Sequence, residues 1–248
     1  MRIVPTSACS LMRSDPVQEA RRRAERRFGR IEGVQIAVHA SPASSGRPVV
    51  VLRNQRGATE GFQVHTHFHG DQLYDQQVGY EQRIGSTVER AWQSNPDQVF
   101  VLPEARNESA APRSDWNNIR NLGDLADGAV QASGLDPARA GRTVVSGHSA
   151  GGSVIAKAIA RQDRLPDRIE LYDAAVGSTH NPVSPGERRA LQAWCRDNPE
   201  RFVVVPGVMQ SSWLEYVDRS RWTERASDHW SPLWDSLGQA REPGGGLC

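Results

Sequence analysis

The sequence predicts an α/β domain built on a mostly parallel central sheet with helices on both faces. Three observations carry this reading. Strand-like and helix-like segments alternate along most of the 248 residues, with short connections between them. The later strand segments are continuous apolar runs, as in strands covered on both faces. At residues 143–154, TVVSGHSAGGSV, a strand pattern ends in a serine among glycines and turns directly into a helical pattern.

The elements follow in order. Residues 1–15 carry no regular pattern. PVQEARRRAERRFG (16–29) reads as a helix, with Asp15 as N-cap, Pro16 at the first position and Glu19 one turn before Arg23. Its face is strongly basic and is expected to be solvated. GVQIAVHAS (33–41) and RPVVVLRN (47–54) read as strands around a Ser/Gly/Pro turn, and GFQVHTHFHG (61–70) as a third. Val78, Ile84, Val88, Ala91 and Trp92 recur at helical spacing over 74–94. QVFVLPEA (98–105) is a fourth strand. SDWNNIRNLGDLADGAV (114–130) follows as a helix with Ile119, Leu122, Ala126 and Ala129 on one face. RTVVSG (142–147) is the fifth strand, leading into a helix near Ala150. RIELYDA (168–174), a helix over PGERRALQAWCRDN (185–198) and RFVVVPG (201–207) complete the pattern. The expected organisation is an N-terminal arm with the basic helix (1–32), a catalytic domain (33–240) and a flexible tail (241–248).

Composition narrows the field. A formal net charge of +1 gives no global field toward nucleic acid or anionic lipid. Lys157 is the one lysine; every other basic residue is arginine. Cys9, Cys195 and Cys248 are far apart and permit at most one internal disulfide, and no CxxC is present. No apolar run approaches the roughly 18–20 residues that span a bilayer. The N-terminus has no continuous apolar stretch of the secretory kind. A cytoplasmic protein is expected, and export by a route leaving no such signal is compatible with the same residues. Neither a nucleic-acid partner nor membrane integration is expected, and the oligomeric state is not legible.

The serine at the seam is the informative residue. Ligand sites of parallel sheets lie beyond the carboxyl ends of the strands, and Ser149 sits at such an end. A tight strand-to-helix bend forces its backbone into an unfavourable conformation and needs small neighbours, which Gly147 and Gly151 supply. The helix N-terminus behind it offers backbone N–H groups to a developing oxyanion. Neither a P-loop GK[ST] nor an early G-x-G-x-x-G accompanies it.

Gly147-His148-Ser149-Ala150-Gly151 in this strand–turn–helix setting resembles the G-x-S-x-G nucleophile elbow of the α/β-hydrolase superfamily, and the likeness extends over about residues 33–235. The resemblance implies the α/β-hydrolase fold and a serine esterase that needs no cofactor and no metal. Its substrate would be a small molecule or an acyl or peptidyl group bearing an ester or amide bond. The order of the triad in this superfamily is Ser, acid, His. Two histidines follow Ser149, and His229, in ASDHWSP beyond the last strand, is the expected base; His180 comes too soon after the sixth strand. Asp173, at the end of the sixth strand, is the first candidate for the acid, with Asp218 and then Glu215 as competitors. One oxyanion donor would be the N–H of Ala150. The other would be Gly70 or Asp71 in His67-Phe68-His69-Gly70-Asp71, which resembles the His-Gly oxyanion loop of lipases and esterases. Glu104 ends the fourth strand at the same edge and is a candidate substrate contact.

Two rival readings use other residues. His65, His67 and His69 share one face of a strand and could ligate zinc in a metal-dependent hydrolase. Three such positions span roughly 13 Å, however, so that one ion could take two of them. A catalytically inactive hydrolase fold could instead bind a partner through the Arg21–Arg30 helix. Trp116, Trp213, Trp222, Trp230 and Trp234 flank the expected site.

Overall fold

The computed structural model describes residues 15–44, 46–69, 78–104, 116, 119, 121–161, 164–177, 182–207, 233, 235 and 237. Its strands are β1 (Val34–Ser41), β2 (Arg47–Asn54), β3 (Gln63–Phe68), β4 (Gln98–Pro103), β5 (Arg142–His148), β6 (Arg168–Tyr172) and β7 (Phe202–Val205). Its helices are α1 (Pro16–Phe28), α2 (Val78–Ser94), α3 (Leu122–Ala132), α4 (Gly151–Ile159) and α5 (Pro185–Asp197). Every strand and helix expected from the sequence has a counterpart.

The strands form one sheet in the order β1-β2-β4-β3-β5-β6-β7. β1 and β2 pair antiparallel, with Val38 opposite Val50, and β2 pairs antiparallel with β4. From β4 across β3, β5, β6 and β7 all pairing is parallel. The parallel strands read as unbroken apolar runs because both faces are covered. Val49, Val51, Val99, Val101, Val145, Ile169 and Leu171 pack under α3, α4 and α5. Val50, Leu52, Phe100, Leu102, Tyr172 and Val205 pack under α1, α2 and the side chains of Leu233 and Leu237.

This order creates a switch point. β3 leads into α2 on one face of the sheet, while its neighbour β5 leads into α4 on the other. At such a reversal between neighbouring parallel strands, ligand sites are expected beyond the carboxyl ends, here those of β3 and β5. Ser149 directly follows β5, at that end of the sheet.

Two local expectations change. The helix expected over 114–130 is interrupted at Asn121, and α3 starts at Leu122. Asn121 is extended (φ −149°, ψ 112°) and its side chain accepts the N–H of Asp124, which stops the helix from growing backward. Ile119 is buried and its N–H donates to the carbonyl of Trp116; residues 114, 115, 117, 118 and 120 of the expected helix lie outside the described residues. The basic helix is only half solvated. Arg22, Arg26 and Arg30 are exposed, whereas Arg23 and Arg27 are buried beside Ala20, Ala24 and Phe28. Among the described residues no helix is long and apolar enough to cross a membrane.

Candidate active site

Ser149 has φ 51°, in the left-handed region. It is half-buried, while Gly147, His148, Ala150 and Gly151 around it are buried. The bend therefore turns one side chain outward and packs the rest. A Cβ on Gly151 would stand 2.1 Å from the carbonyl oxygen of Phe68, and one on Gly147 would stand 2.8 Å from the backbone of Gly151. These glycines let β3, β5 and α4 meet at distances that no other residue permits. Behind Ser149, α4 is buried along its whole length. Its first N–H groups have no acceptor within the helix and carry the positive end of its dipole.

Asp173 is the other non-glycine residue with positive φ among the described residues, at 39°. It follows β6 directly and is buried, with a relative exposure of 2%. Its N–H donates to the carbonyl of Val205 at 2.8 Å, and its Oδ1 accepts the N–H of Gly207 at 3.0 Å. A Cβ on Gly207 would lie 2.5 Å from the Asp173 carboxyl, so glycine is required there as well. The carboxylate thus leans toward the exit of β7. Strained backbone held by its surroundings is concentrated at these two residues.

The histidines on β3 share a face, as alternation predicts, and are buried. They meet a hydroxyl of the neighbouring strand. Ser146 Oγ lies 2.7 Å from His65 Nε2 and 2.8 Å from His67 Nδ1, and Gln98 Nε2 lies 2.7 Å from His65 Nδ1. Burial pulls His65 down to about 4; Glu170 opposes the shift and Arg168 adds to it. Burial, reinforced by the neighbouring His65, His148 and His69 rings, holds His67 well below its ordinary value. Both rings are neutral near pH 7. Among the described residues, no group of three His, Cys, Asp or Glu side chains is arranged to hold a metal ion. Beside this cluster Glu170 pairs with Arg168 at 2.6 Å and accepts the Tyr172 hydroxyl.

Glu104 sits at the end of β4 as expected, but its carboxylate is engaged from below. Arg27 Nη1 reaches Oε1 at 2.9 Å and Arg23 Nη2 reaches Oε2 at 3.5 Å, all nearly fully buried. Its carbonyl oxygen accepts the indole N–H of Trp116 at 3.1 Å. The residue fastens α1 to the sheet. Cys195 is a buried free thiol on α5. Gly70, Asp71, His180, His229, Asp218, Glu215, Trp213, Trp222, Trp230 and Trp234, and the tail 241–248, lie outside the described residues.

Strand alternation alone points to the shared face of His65 and His67. Ser146, Gln98 and Gly207 escape a sequence reading because their significance depends on which strands are adjacent. The only signal for Ser146 is a polar residue within a buried run.

A sheet ordered β1-β2-β4-β3-β5-β6-β7, with a strained half-buried serine in the bend between β5 and α4, is the α/β-hydrolase fold. No protein-family profile matches the chain, and no curated protein matches it by sequence. Solved structures with a similar chain path include an esterase/lipase from an uncultured bacterium, 14% identical, covering 95% of this chain and 88% of its own, with TM-score 0.47. Esterase LipW from Mycobacterium marinum is 17% identical and covers 90% of this chain and 82% of its own, with TM-score 0.45. Esterase B from Lactobacillus rhamnosis is 11% identical, covering 80% and 74%, with TM-score 0.42. The assignment of the fold rests on the strand order and the bend at Ser149, not on these overlaps.

Proposed function

We propose that this protein is a serine hydrolase that cleaves a carboxylic ester, or an amide with the same chemistry, through an acyl-enzyme. The observation that carries the proposal is the left-handed, half-exposed Ser149 at the switch point, with the N-terminus of α4 behind it. Ser149 Oγ attacks the carbonyl carbon as His229 takes its proton. His229 then gives that proton to the departing alkoxide, and water repeats the sequence to release the acid. Asp173 accepts the other imidazole N–H and stabilises the imidazolium. The tetrahedral oxyanion is held by the N–H of Ala150 and by an N–H of Gly70 or Asp71.

The return of the chain supports His229 as the base. Leu233 is buried in the cluster that contains Tyr172 and Val205, and Tyr172 immediately precedes Asp173. Leu233, four positions after His229 in the sequence, is thus packed on this face of the sheet. Against a metal site, His65 and His67 already bond Ser146.

The test is labelling by a fluorophosphonate probe, together with hydrolysis of a short-chain aryl ester. Wild type is expected to label and turn over, and Ser149→Ala is expected to do neither, with activity down by at least roughly 10³-fold. A chelator should leave the wild-type rate unchanged. An unlabelled wild-type protein would favour a binding role on an inactive fold. Activity that survives Ser149→Ala and disappears with chelator would transfer the chemistry to a metal.

A further inference from the structure

Resting on the hydrolase reading above, we propose that Ser146 is a positioning residue for the oxyanion donor at Ala150: its hydroxyl, held between His65 and His67, pins β3 against β5 directly below the bend at Ser149. In the parallel register His65 stands opposite Val144, His67 opposite Ser146 and Phe68 opposite Gly147. Ser146 therefore bonds one ring at its own level and one from two residues earlier. A strand that slid by two residues, about 6.6 Å, would keep the same face but lose this pairing.

The clamp lies directly beneath the catalytic edge. Above it the carbonyl oxygens of Phe68 and His69 press against Gly151, at 2.1 and 3.3 Å from where a Cβ would stand. In the sequence Gly70 follows His67 by three positions and Ala150 follows Ser146 by four. These are the two proposed sources of oxyanion donors. An oxyanion hole works only when its donors sit within a few tenths of an ångström of where charge develops. His65, His67 and Ser146 are exposed by 2% or less. Burying such groups is costly unless they are bonded, and apolar residues would fill the space at lower cost. What the polar trio adds is a fixed register at the switch point.

The hydrogen bonds also have a direction. The side-chain N–H of Gln98 donates to His65 Nδ1, which leaves the His65 proton on Nε2. His65 Nε2–H donates to Ser146 Oγ, and the Ser146 hydroxyl donates to His67 Nδ1. His67 therefore also carries its proton on Nε2. An opposite orientation of the Gln98 amide would reverse every bond in the chain.

Nitrogen-15 NMR of the full-length protein reads this directly and needs no activity. Both rings are expected as neutral Nε2–H tautomers at pH 7, in wild type and in Ser149→Ala alike, and Ser146→Ala should shift the His67 Nδ1 resonance. Unlike tautomers on the two rings, or an unmoved His67 signal in Ser146→Ala, overturns the clamp. On an aryl ester, Ser146→Ala should lower kcat about 10-fold or more with KM within about twofold, and Ser146→Thr, which keeps the hydroxyl, should restore most of the loss. Unchanged kcat, or equal damage from Ala and Thr, overturns the positioning role. Should Ser146→Ala not fold, Gln98→Leu removes the donor at the far end of the chain. It should alter the His65 tautomer and lower kcat less, and an unaltered spectrum counts against the proposal. Full activity in Ser149→Ala would remove the hydrolase reading while leaving the NMR result intact. An inactive Ser149→Ala beside an unaffected Ser146→Ala would remove this inference alone.

Discussion

The carbonyl oxygen of Ser149 accepts the backbone N–H of Ala175 at 2.8 Å, and the N–H of Ser149 donates to the carbonyl of Tyr172 at 3.3 Å. These two bonds bracket Asp173. The strained turn after β5 and the strained turn after β6 are thus tied into one backbone unit, and neither side chain takes part in the tie. Ser153 strengthens it: its hydroxyl donates to Ala175 O and accepts the N–H of Gly177. A nucleophile and an acid on adjacent strands keep their separation because their main chains are bonded to each other.

Gly151→Ala should be damaging out of proportion to one methyl group. The new Cβ would sit 2.1 Å from Phe68 O, a backbone atom that cannot move without shifting β3. Overpacking of this kind costs about 1–3 kcal/mol, and for a chain of this size each kcal/mol lowers Tm by roughly 2–4 °C. Thermal unfolding compares it with Gly186→Ala, where the nearest atom is 3.9 Å away and no loss is expected. Equal Tm values for the two would contradict the close approach at the elbow.

Asp173→Asn should reduce turnover of an aryl ester by about 10³–10⁴-fold through loss of the imidazole's partner, whereas Asp218→Asn should stay near wild type. Gly207→Ala, which drives a Cβ against the Asp173 carboxyl, should resemble Asp173→Asn in direction. Equal activity in the two Asn variants would count against either carboxylate as the acid.

Stability should fall on the acid side of neutrality. His65 and His67 have lowered pKa values in the folded protein, so the unfolded chain binds protons first as pH drops. Their contribution is complete above about pH 6.5 and is lost as pH falls toward the His65 value of about 4. For His65 alone the loss by pH 4 is on the order of 3 kcal/mol. Urea unfolding at pH 7.5, 5.5 and 4.5 should give a descending series, with a shallower slope in His65→Gln. A flat series would mean that these rings titrate normally.

Glu104→Gln should lower stability and spare KM. It leaves Arg23 and Arg27 buried around an uncharged amide, and breaking a buried pair costs about 3–5 kcal/mol. A raised KM with unchanged Tm would instead make Glu104 the substrate contact that its place at the strand end suggests.

Much of this molecule is legible one residue at a time. Alternation, helical spacing and caps are local properties, so the strands, the helices and the bend at Ser149 follow from residues within a few positions of each other. Asp15, Asn121 and Ser184 each cap a helix with their own side chain. Apolar spacing runs on through Asn121, where the backbone is extended and a helix starts afresh. Asp173 could be named from the sequence as the residue ending a strand, but its left-handed backbone and its bond to Gly207 could not.

The sequence by itself determined the elements, the strained serine and the shared face of the β3 histidines, because each depends on short-range sterics and periodicity. Tertiary structure alone decided that β3 lies beside β5, that Ser146 receives His65 and His67, that Asp173 leans on Gly207, and that Glu104 faces arginines 77 and 81 residues earlier in the chain. Those facts rest on strand order and long-range packing. Many pairings of the same strands satisfy the same local rules, and only burial of both sheet faces at once selects among them.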